Sequence, residues 1–597
     1  MWPDRRLTRG LCQATCVWGT RAQARAAMPA WAADTAGSAG RVVAARGGVA
    51  GRSGETARRT GTILLPARTA ETPLRKAEMT EAAPPTPVVD ESAPPLWTLL
   101  APLAAHLALS LTYAFLLPLW GAVPDEPIHY SHVKYVAEHW SLPVIDDPFR
   151  DLKEYYFVAD PAGAAQHGPL YYWPAAVIYS LTTGLTLTAQ QYVLRLWSVL
   201  LGALMVFFAW RAFALLFPGR ALVTFGSTLL LTLIPHRLLI SAVIYADIGA
   251  AATATLALWA LIWAVKTRPG GRGWVLAGMA LGLAMLAKTS AVLIIPALVG
   301  ALLVLWRRGT LGLRRAVCAG LLYAAGMLLL SGWWLVRSVM LYGELLPTEP
   351  KPPGFGWLDV LFDPSFGFVL WMAARGYWLS IWSQVGWLPG WAGQPVYGLL
   401  LALTGITLAG LIAAAVRGAS RGAATANFAL AAGFVLTGLA TFYAALHRTI
   451  LVSFHSNEQT GKHAQTVLVA FIALAVAAWQ HLAGARRVPV VLAGAAALMV
   501  IFNVLSIYNL QTDLIPRFAP TPPEMATWKV RDLPTSGIPW VKERPATPNR
   551  YLINGPQSRH VPAEEYGRDV GRGVWGVGTA DGNGGPRVVK GSRALIV

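Results

Sequence analysis

Cysteine is nearly missing from this chain: three in 597 residues, at Cys12, Cys16 and Cys318. That is too few for a disulfide framework, and Cys12 and Cys16 have no companion ligands for a zinc site. Charge is scarce as well, 13% against the ~25% of an ordinary soluble protein, while 55% of the residues are hydrophobic. No Gly-x4-Gly-Lys-Ser/Thr phosphate loop occurs, because the glycine it needs ahead of Gly461-Lys462 is Ser456. No Gly-x-Gly-x-x-Gly follows a plausible strand, and there is no His-Glu-x-x-His. These absences speak against an ATP-driven pump and a zinc protease. No solenoid-type repeat is present.

What is abundant is apolar sequence, with 25 tryptophans suited to water–lipid boundaries. A membrane helix needs ~20 apolar residues. Eleven runs qualify: 96–120, 192–213, 221–243, 247–266, 273–287, 289–306, 315–337, 396–416, 426–446, 464–482 and 488–508. A twelfth, 169–187, is ambiguous. The fold class expected is therefore an all-α polytopic membrane protein with about 11 transmembrane helices plus one re-entrant or interfacial segment.

The formal charge of +19 reads as membrane orientation, not nucleic-acid binding. With the N-terminus inside and 169–187 not crossing, five successive inner loops carry the basic residues. They hold Arg220; Lys266, Arg268 and Arg272; Arg307, Arg308, Arg314 and Arg315; Arg417 and Arg421; Arg486 and Arg487. That is the positive-inside pattern, and a full crossing by 169–187 would invert all five. Two long loops, 121–191 and 338–395, then face outward. Residues 1–94 form a basic, low-complexity extension expected to be disordered, either a targeting segment or the product of a start codon set too early. Residues 95–510 make the transmembrane domain, and 511–597 an extracytoplasmic tail or small module. The active face is expected to be extracytoplasmic.

The first outer loop opens Pro-Asp125-Glu126-Pro127-Ile-His129-Tyr130-Ser-His132. Pro127 suits a first helical turn, with Glu126 as N-cap and Asp125 just before it. A carboxylate at the positive end of a helix dipole stays ionised, as a base for a hydroxyl proton must be. The plain alternative is that the acidic pair only caps an interfacial helix. His129 and His132 share a face and could join Asp125 around a divalent metal, but the set is too thin to require one, and no resident cofactor is assigned. Downstream, Gln166-His167-Gly168-Pro169-Leu170-Tyr171-Tyr172-Trp173 sets His167 at the water boundary. It either touches a phosphate there or belongs to an aromatic belt.

Asp247 and Lys288 border apolar runs, where charge is expensive and therefore suggestive, though Lys288 could simply snorkel. Arg337 ends its span on the same outer side, and its fork of donors suits a phosphate. A structural ion pair is the competing reading. Trp371, Arg375, Trp378 and Trp382 fall on one helical face, as in an interfacial amphipathic helix or a sugar-stacking wall. His455, Glu458, Lys462 and His463 make a polar turn, solvated or closing over a substrate.

Taken in order, Pro-Asp125-Glu126-Pro-x-His129-Tyr and Gln166-His167-Gly-Pro-Leu-Tyr171-Tyr are followed by three further stretches. These are Ala246-Asp247; Leu-Ala-Met-Leu-Ala-Lys288-Thr-Ser; and Trp333-Trp334-Leu-Val-Arg337-x4-Tyr342-Gly343-Glu344. With Ser380-Ile-Trp382-Ser-Gln384-Val-Gly386-Trp387 they resemble the protein O-mannosyltransferase and aminoarabinose-transferase class of GT-C membrane glycosyltransferases, and a related group of bacterial membrane proteins. The resemblance covers about residues 96–510. It departs where Gly461-Lys462-His463 replaces Gly-Arg-Tyr, and where Gly168-Pro169 replaces Pro-Pro.

The resemblance implies sugar transfer, with inversion, from a polyprenyl-phosphate carrier to a lipid, glycan or protein acceptor at the outer surface. Asp125 would be the base, assisted by Glu126. Arg337, Lys288 and His167 would bind the donor phosphate, and His129, Asp247, Tyr171 and Gln384 would touch substrate. Membrane lipids are the other expected partners, and nucleic acid is not one. The alternative is a transporter or flippase of a lipid-linked or polar substrate, which calls for charges deep within spans and broken helices. An inert envelope scaffold ranks behind both.

Overall fold

The structure is a computed structural model that describes residues 94–117, 125–144, 165–347, 361, 366–382, 384–385, 388–389, 394–418, 425–452, 460–514 and 529–532. The N-terminal extension, most of the C-terminal tail, His455 and Glu458 lie outside them. Within them the chain is helical apart from an antiparallel pair of two-residue strands, β1 (Gln384–Val385) and β2 (Leu388–Pro389). The sequence analysis did not anticipate this pair.

The helices, in chain order, are α1 (Trp97–Leu116), α2 (Glu126–His139), α3 (Pro169–Leu181), α4 (Leu187–Leu216), α5 (Ala221–Leu233), α6 (Pro235–Ser241), α7 (Ala246–Thr267) and α8 (Gly271–Ala287). A 3-10 turn, Thr289–Ile294, leads into α9 (Ile295–Arg307). Then come α10 (Leu313–Tyr342), α11 (Phe366–Trp382), α12 (Gln394–Gly418) and α13 (Thr425–Val452). A second 3-10 turn, Thr460–Val467, precedes α14 (Leu468–Ala483), and α15 spans Val488–Asn509.

Nine helical stretches among the described residues are long and apolar enough to cross a membrane. The expected count of about 11 is corrected at two runs. Run 221–243 is broken at Ile234, where α5 and α6 meet at 65°, and run 273–287 gives the 17-residue α8. Pro235 lacks the N–H that would continue the helix and clashes with the preceding turn, which explains the break. The carbonyls it frees are taken up by side chains: Asn503 Nδ2 donates to Leu233 O at 2.7 Å, and Arg237 to Thr232 O at 3.3 Å.

In hydrocarbon, helices gain little by hiding apolar surface from one another, so small residues that permit close approach decide which helices pair. Gly278 and Gly282 of α8 lie against the α10 backbone, and Gly326 of α10 lies against α8. A Cβ on them would stand 1.9 Å from Tyr323 O, 2.6 Å from Met327 O and 2.0 Å from Val275 O.

α3 is only 13 residues long and runs beside α2. Tyr172 near its start stacks on His132, with centroids 3.7 Å apart, and Tyr179 near its end meets Tyr130 at 5.9 Å. α3 thus packs along α2 over its length. The basic residues collect at the other end of the bundle. There Lys266 Nζ donates to Leu215 O at 2.6 Å, and Arg220 to Ala485 O at 2.7 Å.

Candidate functional site

Asp125, not Glu126, is the N-cap of α2; helix geometry begins at Glu126, with Pro127 in the first turn. The Asp125 side chain makes no capping bond, so its carboxylate is free to work elsewhere. Its Oδ2 accepts two hydrogen bonds, from the Tyr245 hydroxyl at 2.5 Å and from Lys462 Nζ at 2.9 Å. Lys462 also reaches the Tyr245 oxygen at 3.2 Å. Among the described residues no donor reaches Oδ1, and a third of the side chain is exposed. The aspartate is therefore anchored through one oxygen and open at the other.

Burial alone would raise the Asp125 pKa. The Lys462 ammonium and the Tyr245 hydroxyl outweigh it and hold the carboxyl below the usual carboxylate range. His129 is buried, and burial lowers its pKa to about 4 despite the opposing pull of Asp125 and Asp247. His167 is likewise held well below the ordinary histidine value, by burial and then by Lys288. Both rings are neutral near pH 7. His129 Nδ1 lies 2.6 Å from the Tyr172 hydroxyl, and its ring stacks on His167 at 5.9 Å and meets the Tyr245 ring edge-on at 4.8 Å.

Asp247, in the first turn of α7, accepts a hydrogen bond from Lys288 Nζ at 2.8 Å, and both side chains are buried. Lys288 follows α8 in extended conformation, so its side chain points into the polar end of the bundle and does not snorkel away. His167 is held nearby because Gly168 packs directly on α8: a Cβ there would stand 2.1 Å from Leu286 O. Proline in that position would not fit, which accounts for one departure from the family pattern.

The structure corrects three expected roles. Glu126 is fully buried in a bidentate pair with Arg195, Nε to Oε1 at 2.8 Å and Nη2 to Oε2 at 2.7 Å. It also accepts the Ile244 N–H at 3.1 Å. With its oxygens committed, Glu126 ties α2, α4 and the approach to α7 together. Tyr171 is buried, its hydroxyl bonded to Ser198 Oγ at 3.0 Å and to the Tyr245 N–H at 2.9 Å. Its hydroxyl supports the Tyr245 backbone. Asp125, His129 and His132 are not gathered as a ligand set: no three His, Cys, Asp or Glu among the described residues are arranged to hold an ion.

Arg337 lies apart from this cluster but on the same side. Its Nη2 makes a long 3.5 Å contact to Pro143 O, just beyond α2, and its guanidinium covers the Trp334 ring at 4.8 Å. Its Nη1 is buried with no partner among the described residues. Gln384 lies in β1, paired in register with Pro389.

Tyr245 and Arg195, which no motif in the sequence marks, carry much of the site together with Lys462, which the sequence offers only as part of a polar turn. Arg195 did leave a signal, a charge inside an apolar run. Lys462 is positioned from a distance by α11: Gly461 N–H donates to Ser380 Oγ at 2.8 Å, and a Cβ on Gly461 would stand 2.3 Å from Tyr377 O. α11 is therefore more than an interfacial helix. Tyr377 binds Thr441 of α13 at 3.0 Å and Trp378 binds Thr404 of α12 at 3.2 Å, while Trp371 is half exposed.

A bundle of apolar helices with acidic, basic and histidine side chains gathered at one end defines a polytopic integral membrane protein with a single-sided polar site. Comparison with known families adds that residues 166–334 match the dolichyl-phosphate-mannose-protein mannosyltransferase family, so the resemblance read from the sequence holds. No curated protein matches the chain.

Among solved structures, the Archaeoglobus fulgidus oligosaccharyltransferase in complex with zinc and sulfate is similar, at a TM-score of 0.44 and 15% identity over 70% of this chain. This chain spans about half of that protein, 53% of its length. The archaeal oligosaccharyltransferase AglB from Archaeoglobus fulgidus, with an inhibitory peptide and a dolichol-phosphate, gives 0.42 and 15%, covering 71% of this chain and 56% of that one. ArnT from Cupriavidus metallidurans, bound to undecaprenyl phosphate, gives 0.42 and 16%, covering 71% and 80%.

Proposed function

We propose that this protein is a GT-C membrane glycosyltransferase that moves a sugar from a polyprenyl-phosphate carrier to an extracytoplasmic acceptor, with inversion. The observation that carries the proposal is Asp125, anchored through Oδ2 and open at Oδ1, beside two lysines and two neutral histidines in a chain that matches a dolichyl-phosphate-mannose-dependent family. Oδ1 accepts the proton of the acceptor hydroxyl while that oxygen attacks the anomeric carbon. The bond from that carbon to phosphate breaks, and its electron pair leaves with polyprenyl phosphate. Lys288, His167 and Arg337 face the charge that develops on the phosphate, and stabilising such charge is usually the largest catalytic contribution. The unpartnered Nη1 of Arg337 supports its share. Asp247 holds Lys288 in position, and His129 lines the acceptor side. The positive-inside pattern of the basic loops supports an extracytoplasmic position for this end of the bundle.

The test is transfer by purified, reconstituted protein from a polyprenyl-phosphate sugar, read as release of polyprenyl phosphate. Asp125→Asn should insert normally and lose transfer; retained transfer would remove the base role. A second reading, transport of a lipid-linked or polar substrate, draws support from the broken α5–α6 span and the fully buried Arg237 beside it. Movement of an intact lipid-linked sugar across vesicles, without release of its carrier, would favour that reading.

A further inference from the structure

Two lysines serve this site, and they are held very differently. Lys288 is buried, and its partner Asp247 is buried with it. Lys462 is partly exposed, and so is its partner Asp125, at 19% and 33% for the two side chains. Lys462 also leaves an irregular turn whose backbone is fixed by Gly461 on Ser380, so its four-carbon stem swings about a firm pivot.

The acidic and basic groups around it are Asp125 in α2, Asp247 in α7, Lys288 after α8, and His463 beside it on its own turn. His129 of α2 is neutral and Tyr245 lies between. Among the described residues two carboxylates balance two ammoniums. A phosphate that enters adds negative charge, and the more loosely held ammonium is the one that can answer it. An ammonium is a compact point charge that exchanges partners, whereas the bidentate fork of an arginine resists exchange. The family pattern has arginine where this chain has Lys462.

Resting on the function proposed above, we propose that Lys462 is a shared counter-ion. It neutralises Asp125 in the free protein and turns to the donor phosphate when that arrives, so that Asp125 becomes an effective base only in the donor complex. The direction agrees with acid–base chemistry: a carboxylate held by an ammonium is a weak base, and it strengthens as the ammonium leaves.

The experiment measures binding of undecaprenyl phosphate to the full-length protein in detergent, around a double-mutant cycle. Asp125→Asn should tighten binding ~10-fold by releasing Lys462, and Lys462→Met should weaken it ~10-fold; a tenfold change is 1.4 kcal/mol. In the Lys462→Met background, Asp125→Asn should change affinity by less than ~2-fold, because there is no cation left to release. Lys462→Gln repeats the cycle should the methionine variant fail to fold. Equal tightening by Asp125→Asn with and without Lys462 would point to ordinary long-range repulsion and overturn the shared counter-ion, as would no tightening in the wild type. Wild-type protein that binds no undecaprenyl phosphate overturns this proposal together with the function on which it rests.

Discussion

Asp125 and Glu126 are neighbours in the chain and occupy two unlike regions of the molecule. Glu126 faces inward, sealed in a bidentate pair with Arg195 that bonds the carbonyls of Ala114 and Leu117 as well. Asp125 faces the polar end, held by one oxygen, with its other oxygen open. One peptide bond separates a buried structural clamp from the carboxylate proposed as the base. Carboxylates side by side in sequence thus need not share a role, because the helix start sends them to opposite surfaces.

The sharpest way to break this comparison is to remove each charge and ask what is lost. Asp125→Asn should lower transfer by ~10²–10⁴, as expected for loss of a general base, with almost no change in thermal unfolding. A partly exposed pair contributes less stability than the sealed Glu126–Arg195 pair, so a loss as large as that of Glu126→Gln would refute the division of labour.

Glu126→Gln or Arg195→Met should do the reverse. Each strands a buried charge or its partner and should cost ~3–5 kcal/mol, read by thermal unfolding in detergent. Glu126→Met combined with Arg195→Met should recover much of that loss. Transfer per folded molecule should fall far less than in Asp125→Asn.

A third outcome follows from His129. Its folded pKa of about 4 lies below the ~6.5 of an unfolded histidine. The unfolded chain therefore binds a proton that the folded protein refuses, and stability falls as the pH drops from ~6.5 towards 4, by roughly 3 kcal/mol. Unfolding of wild type against His129→Asn across that range measures it, and the variant should show a flatter profile. Asp125 changes later: its contribution is complete above ~4 and is lost only at lower pH.

The smallest effect is expected at Gly461→Ala. The added methyl must displace Tyr377 O or Ser380 Oγ, and Lys462 moves with its backbone. Transfer should fall ~3–10-fold while unfolding shifts by ~1–3 kcal/mol, the usual cost of overpacking. Unchanged transfer would mean that the Lys462 position is not set by α11.

The helices were legible because a membrane span advertises itself through length and composition alone. Their number was less so: the run 221–243 has the composition of one span, and only the missing N–H of Pro235 divides it. Asp125 was legible from its acidic, proline-flanked setting, but taking Glu126 as the cap set the helix start one residue late. Asp247 and Lys288 were legible one at a time as costly charges, and the contact between them was not. Lys462 was hardest, since it meets Asp125 across 337 positions of sequence through a turn that looks like any solvated loop. Tyr171 misled for the opposite reason: it sits in a motif of polar and aromatic residues, yet its hydroxyl is used up inside the scaffold.

The seat of Gly168 on Leu286 carries a mechanical consequence. Main chain rests on main chain there, with no side chain in between to act as a cushion, so the start of α3 and the end of α8 form one joint. His167 hangs from one half of that joint and Lys288 follows from the other. The spacing between these two side chains is thereby set by main chain on main chain and not by the packing of side chains.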